Sequence, residues 1–267
     1  MLWGLVVGDC LGSPIQFTSK NGHRQISKME PAIGVYGRNL PKGYWTDDSS
    51  MAFCIMESFI RCGRYDIADI ANNFLRWYDD GFMSSVPGWS FDIGNATHNA
   101  MYGLRQGILK NGTDASQGNG SIMRFAPSFI ISLKQGNENA CSEISDLTHN
   151  SDEVRKNIDT MRSFCNDCLN GTAVKPQSPH LSRETVPNSG WAKETLEAAF
   201  WGLARFDSFK DGMLAVVNLG GDSDSIGAVY GQLAGCFYGF NSIPAEWIHD
   251  VKDWQCIDDL IDSFLEK

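Results

Sequence analysis

Apolar residues recur three and four positions apart along most of the chain, the spacing that gathers them on one face of an α-helix. The pattern runs over residues 51–62, 67–78, 96–109, 122–133, 154–169, 191–206 and 226–240 and predicts a helix at each. Alternation of period two, the mark of a half-buried strand, is almost absent. Clusters of Gly, Pro, Asn and Asp at 30–43, 81–88, 111–120 and 174–190 interrupt the helices. These stretches are long for plain connections, and loops of that length in a compact domain are usually functional or mobile. With no repeat, low-complexity tract or linker-like composition, the expected architecture is all-α, one compact domain over 1–267. The stretch 174–190, with Pro176, Pro179, Pro187 and His180, reads as a surface loop, because the chemistry on its two sides must converge.

A chain of 267 residues with 42% hydrophobic and 11% aromatic content can bury a substantial core. Its net charge of -10 excludes a phosphate-backbone binder, since nucleic-acid affinity rests on Lys and Arg. An anionic substrate would need local help, which a divalent cation held by acidic side chains can supply. The eight cysteines are scattered and read as reduced thiols. Cys165 and Cys168 have CxxC spacing, but no second pair or neighbouring His completes a zinc set. The N-terminal run MLWGLVVGDCLG is apolar, yet it is short, lacks basic residues and is broken by Asp9, so it reads as neither signal peptide nor membrane span. The expectation is a monomer in the cytoplasm, without membrane or nucleic-acid partners. On that expectation the Asn-x-Ser/Thr matches at Asn95, Asn111, Asn119 and Asn170 carry no glycosylation meaning.

Two acidic segments stand apart. One reads Tyr-Trp-Thr-Asp-Asp-Ser-Ser-Met over 44–51, the other Gly-Gly-Asp-Ser-Asp-Ser-Ile over 220–226, and each precedes an apolar helical run. Helix capping is one reading, because Thr, Ser and Asp accept hydrogen bonds from the first free N–H groups. Capping leaves a surplus, since each segment offers two carboxylates and a hydroxyl. Brought together without a counter-ion, such carboxylates would repel or stay protonated. Hard divalent ions relieve this, and Mg2+ and Mn2+ take carboxylate, hydroxyl and water oxygens. Two such clusters suit a pair of ions as in two-metal hydrolases, where the ions orient hydroxyls and lower the pKa of a bridging water.

At these residues the sequence resembles the ADP-ribosylglycohydrolase family. The likeness comprises Gly-Asp-Cys-Leu-Gly-Ser-Pro at 8–14, Trp-Thr-Asp-Asp-Ser-Ser-Met at 45–51, Phe-Asp-Ile-Gly-Asn-Ala-Thr at 91–97, Gly-Asn-Gly-Ser-Ile-Met-Arg at 118–124, Thr148-His149, and the run from Gly220 to Ala228. The resemblance implies a compact many-helix fold with two Mg2+ or Mn2+ ions. It implies Thr46, Asp47 and Asp48 as one ligand set and Asp222, Asp224 and Ser225 as the other. Asp92 falls where relatives carry an aspartate for ribose handling or proton transfer, and Asp92 and Asp48 are the candidate catalytic groups. A helix N-cap is the alternative for Asp92.

The resemblance also assigns Gly118, Asn119, Gly120, Ser121 and Met123 to the loop and helix start that receive the diphosphate, a task small residues before a helix suit. It places His149 near the distal ribose or phosphates, with a helix-end histidine as the alternative. Tyr36, Trp89 and Phe91 are aromatics that could stack on adenine or fill the core.

One position departs from the pattern. Gln16 stands where relatives commonly carry Glu, and an amide can position a substrate but has no titratable proton. The expected activity is hydrolysis at the anomeric carbon of the distal ribose of an ADP-ribosylated small molecule or protein, with arginine as one acceptor. Gln16 keeps a small ADP-ribose derivative open as substrate, such as the 1''-phosphate or O-acetyl-ADP-ribose, because phosphate leaves with less acid-base help. A non-catalytic ADP-ribose-binding protein and a plain nucleotide phosphohydrolase are the readings from other classes.

Overall fold

The N-terminal apolar run is a helix, α1 (Leu2–Gly12), and every one of its residues is buried. In the computed structural model, which describes residues 1–177 and 180–267, α1 lies at the centre of a helical assembly. Around it stand α2 (Asp47–Cys62), α3 (Ile67–Asp80), α4 (Asn95–Arg105), α5 (Phe125–Gln135), α6 (Ala140–Asp146), α7 (Asp152–Leu169), α8 (Ala192–Arg205), α9 (Phe209–Val217), α10 (Ser223–Tyr238), α11 (Ala245–Asp250) and α12 (Trp254–Glu266). Their buried side chains form one continuous core cluster from Leu2 to Phe264. Pro179, within the expected 174–190 loop, lies outside the described residues. Among the described residues no helix is long and apolar enough to cross a membrane.

The pairing that organises the assembly is α1 against α10. Gly4, Gly8 and Gly12 lie one helical turn apart on α1, and Gly227 and Gly231 oppose them on α10. A methyl group on Gly8 would stand 2.0 Å from the Gly227 carbonyl oxygen, and one on Gly4 equally close to that of Gly231. The backbones touch, which no residue with a Cβ permits. At the end of this seam Gly12 abuts the backbone of Ser223 and Asp224, so the packing fixes where α10 begins.

The expected helices exist, with shifted ends. The segment 122–133 divides into a 3-10 turn (Ile122–Arg124) followed by α5. The segment 96–109 stops at Arg105, where Gly107 takes a left-handed φ of 75° and Ile108 N–H turns back to the Gly103 carbonyl. The helix expected over 226–240 starts three residues earlier, at Ser223, and ends at Tyr238. Helices α1, α6, α9, α11 and α12 extend the sequence reading, as does a two-stranded antiparallel hairpin, β1 (Ala32–Ile33) with β2 (Asn39–Leu40), pairing Ala32 with Leu40. Strands of two residues are too short to show alternation.

Candidate active site

The acidic segments, remote in sequence, meet at the start of α2 and the start of α10. Neither caps its helix: Thr46 and Asp222 are the N-cap residues, and neither makes a side-chain capping bond. For α2 that work falls to Asp9 of α1, which accepts from the N–H and hydroxyl of Thr46 and from the N–H (3.0 Å) and hydroxyl (2.6 Å) of Ser49. Burial still lifts the Asp9 carboxyl to about 6 against those hydrogen bonds. With capping thus supplied, Asp47 and Asp48 are free for other work.

Asp48 Oδ2 accepts from Thr46 Oγ1 at 3.2 Å and from Ser225 Oγ at 3.3 Å, joining positions 177 residues apart. Burial, and then the charges of the neighbouring carboxylates, push Asp47, Asp48 and Asp224 well above the ordinary carboxylate range. Asp222 is held open by two amides: Gln16 Nε2 donates to Oδ1 at 3.1 Å and Asn119 Nδ2 to Oδ2 at 2.6 Å. Gln16 is itself anchored, its Oε1 accepting from the Tyr36 hydroxyl at 2.6 Å.

Above these groups opens a cleft of about 770 Å³. Asp47, Asp92, Asp222, Ser225, Gln16, Gly118, Asn119, Gly120, Met123 and His149 line it, while Thr46, Asp48 and Asp224 lie beneath its floor. Asp92 is not a helix cap, since Gly94 holds that position on α4; its φ of 62° is left-handed. Burial raises its carboxyl to about 7. Ser121 is turned away, its hydroxyl 2.6 Å from that of Ser145. The expected helix start for a diphosphate also changes: Ala126 N–H, in the first turn of α5, is satisfied by Gln232 Oε1 at 2.7 Å, so the cleft wall is loop backbone around Gly118 and Gly120. Tyr36, Trp89 and Phe91 pack on one another, with Trp89 and Phe91 rings 4.4 Å apart, and do not line the cleft.

His149 is buried, and burial lowers its imidazole to about 3, so the ring is neutral and not a charged helix-end residue. Its Nδ1 lies 2.7 Å from Thr148 Oγ1, which accepts from Arg124 Nη2 at 2.6 Å. Nδ1 is the one acceptor within reach of the Thr148 hydroxyl among the described residues, so we assign that hydroxyl's proton to Nδ1 and the imidazole proton to Nε2, beside Gly118 and Gly120 in the cleft wall. Arg124 itself is fully buried under the carboxylates. It donates to the Gly120 carbonyl and lies over the Phe74 ring. Burial lowers its guanidinium to about 10, opposed by Asp47 and Asp48.

Sequence reasoning did not single out Asp9 or Arg124 as site residues. The signal for Asp9 was a lone charge inside an otherwise apolar helical run, where an unpaired carboxylate is rarely buried without a task. Phe17, Thr97, Asn188 and Trp191 also line the cleft and carried no comparable signal.

Among the described residues, three buried carboxylate oxygens find no hydrogen-bond donor: Asp48 Oδ1 and both oxygens of Asp224. They belong to an all-oxygen donor set, the chemistry that Mg2+ and Mn2+ prefer. As placed, no three His, Cys, Asp or Glu among the described residues form a group able to hold a metal ion, so the fit rests on the orphaned oxygens and their chemistry, not on a closed shell.

Against known proteins, the profile described as ADP-ribosylglycohydrolase matches residues 1–156 and 138–267. The chain belongs to the ADP-ribosylglycohydrolase family. It is therefore a hydrolase of glycosyl bonds. The chain is 34% identical to ADP-ribosylarginine hydrolase Tri1 of Pseudomonas putida (strain GB-1), over 100% of this chain and 77% of that protein. It is 27% identical to ADP-ribosyl-[dinitrogen reductase] glycohydrolase of Rhodospirillum rubrum, over 92% and 86%. A solved structure described as an ADP-ribosylglycohydrolase-related protein complex superposes with a TM-score of 0.79 at 29% identity, covering 99% of this chain and 95% of that one. The helical architecture is that of the ADP-ribosylglycohydrolases, and the carboxylate-floored cleft is its candidate catalytic centre.

Proposed function

We propose that this ADP-ribosylglycohydrolase is a divalent-cation-dependent ADP-ribosyl hydrolase, cutting the bond between the distal ribose and the guanidinium nitrogen of an arginine acceptor. The observation that carries the reading is the meeting of Asp48 and Asp224 beneath an open cleft, three of their oxygens finding no hydrogen-bond donor among the described residues. The names of the relatives, ADP-ribosylarginine hydrolase and ADP-ribosyl-[dinitrogen reductase] glycohydrolase, support the substrate class.

Thr46, Asp47 and Asp48 on one side and Asp222, Asp224 and Ser225 on the other would hold one or two Mg2+ or Mn2+ ions. Such ions, when bound, neutralise the carboxylates and orient ribose hydroxyls. The chain's own residues do the rest. Gln16 and Asn119 fix the orientation of Asp222. Asp92, in the cleft and with a carboxyl near 7, takes the proton of the attacking water as its oxygen bonds to the anomeric carbon and the acceptor nitrogen departs with the bonding pair. The His149 Nε2–H and the backbone around Gly118 and Gly120 are placed to receive the anionic part of the substrate.

A specific observation keeps a second leaving group in view. Both ends of the Gln16 amide are engaged, by Tyr36 and by Asp222, so no titratable group stands at that position and a phosphate or acetate leaving group would ask less of the site. The test is incubation with ADP-ribosyl-arginine, ADP-ribosyl-serine, O-acetyl-ADP-ribose and ADP-ribose 1''-phosphate, with Mg2+ and with EDTA. Release of ADP-ribose from the arginine conjugate, abolished by EDTA, is the expected result. Turnover of the phosphate alone, with Gln16→Glu gaining arginine activity, would move the assignment to the second reading. Binding of ADP-ribose with no turnover of any of them would leave only a binding protein.

A further inference from the structure

Phe17 stands at the mouth of the cleft in a conformation its own side chain disfavours. Its φ is 64°, in the left-handed region that bulky residues avoid, and the residue is 67% exposed. Neither local preference nor burial accounts for such a residue. The surrounding structure enforces it: Phe17 N–H donates to the Gly221 carbonyl at 2.7 Å, and Gly221 N–H donates back to the Thr18 carbonyl at 2.7 Å. That two-way clamp ties the chain after Gln16 to the residue before Asp222 and leaves the Phe17 ring lining the cleft.

The neighbours define what the ring would meet. Gln16 and Asp222 are directly beside it, and Asp47 and Asp92 line the same cleft, so an open aromatic face stands in strongly acidic surroundings. An aromatic face attracts a planar cation through its quadrupole, whether or not the carboxylates beside it are neutralised. On the reading above, these carboxylates face the distal ribose. The adenine of the same molecule then lies a diphosphate and a second ribose away, so the group within reach of the ring is the acceptor.

We propose that Phe17 is the acceptor platform of the enzyme, its ring stacking on the planar guanidinium of the modified arginine and so selecting cationic, planar acceptors. The inference rests on the proposed hydrolase function and extends it to a residue that sets specificity. The strained backbone holds the ring at the mouth before substrate arrives, so little ordering remains at the moment of binding.

The test compares wild type with Phe17→Leu, which keeps apolar bulk without a π-face, Phe17→Tyr, which keeps the ring, and Phe17→Gly, which removes the ring and relieves the φ strain. Phe17→Leu and Phe17→Gly should raise KM for an ADP-ribosyl-arginine peptide on the order of 5- to 30-fold, with kcat nearly unchanged. Phe17→Tyr should restore it, the affinity for free ADP-ribose by calorimetry should be the same in all four, and Phe17→Gly should melt at a higher temperature. An unchanged KM in Phe17→Leu, or an equal loss of ADP-ribose affinity, overturns the platform while leaving the hydrolase standing. Wild-type protein that fails to cleave the arginine conjugate overturns both.

Discussion

The residues of the site divide into those that touch the cleft and those that hold them. His149 shows how far the holding chain reaches: Arg124 fixes Thr148, Thr148 fixes Nδ1, and the one remaining proton faces the cleft. Removing that donor with His149→Ala should weaken ADP-ribose binding on the order of 10- to 150-fold, the worth of one buried hydrogen bond to a charged group, as read by calorimetry. Asp224→Asn tests the floor. It keeps shape and removes charge, so it should abolish hydrolysis, and the thermal shift produced by Mg2+ or Mn2+ in the wild type should disappear. The acidic pairs were legible in the sequence because two carboxylates and a hydroxyl exceed what a cap needs. Asp9 was harder to read as the actual capping group, because its partners Thr46 and Ser49 come from another helix and no local pattern announces them.

At the level of elements, periodicity found α2, α3, α4, α5, α7, α8 and α10, passed over α12 although its Ile257, Ile261 and Phe264 repeat at helical spacing, and could not reveal α1. Helix α1 is buried all round, so it has no polar stripe to reveal it, and its length is below a membrane span. What sets its place is the glycine seam with α10, a tertiary contact that only coordinates display. Gly8→Ala puts a methyl against the Gly227 carbonyl and should cost about 1–3 kcal/mol or more, measured by urea unfolding, with loss of activity as the start of α10 shifts. An exposed glycine makes the control: Gly34 has open space around its Cβ position, so Gly34→Ala should lose only about 1 kcal/mol to its left-handed φ of 74°.

The whole molecule concentrates its electrostatic cost in one place. Burial raises Asp9 to about 6, and burial with mutual repulsion raises Asp47, Asp48 and Asp224 well beyond the ordinary 3.8. The folded state then binds more protons than the unfolded one, so without cations these groups lower stability as pH rises from about 4 upward. A bound divalent ion favours the ionised forms and cancels that loss. The gain in melting temperature from added Mg2+ or Mn2+ should therefore be small at pH 5 and large at pH 8. His149 works in the opposite sense: it is depressed to about 3, so its contribution, on the order of a few kcal/mol, is present above 6.5 and lost as pH falls toward 3. Comparing plus-metal with minus-metal melting at each pH removes the His149 contribution and isolates the carboxylates. Equal shifts at both pH values would contradict the account.

The α1–α10 seam also bears on how the molecule is made. Helix α1, apolar apart from Asp9, is synthesised more than two hundred residues before Ser223, where the surface that covers it begins, so the nascent chain carries an uncovered apolar segment through that interval. A chaperone that shields α1 is the natural companion of this topology, and no fragment stopping short of α10 should fold or show any trace of catalysis.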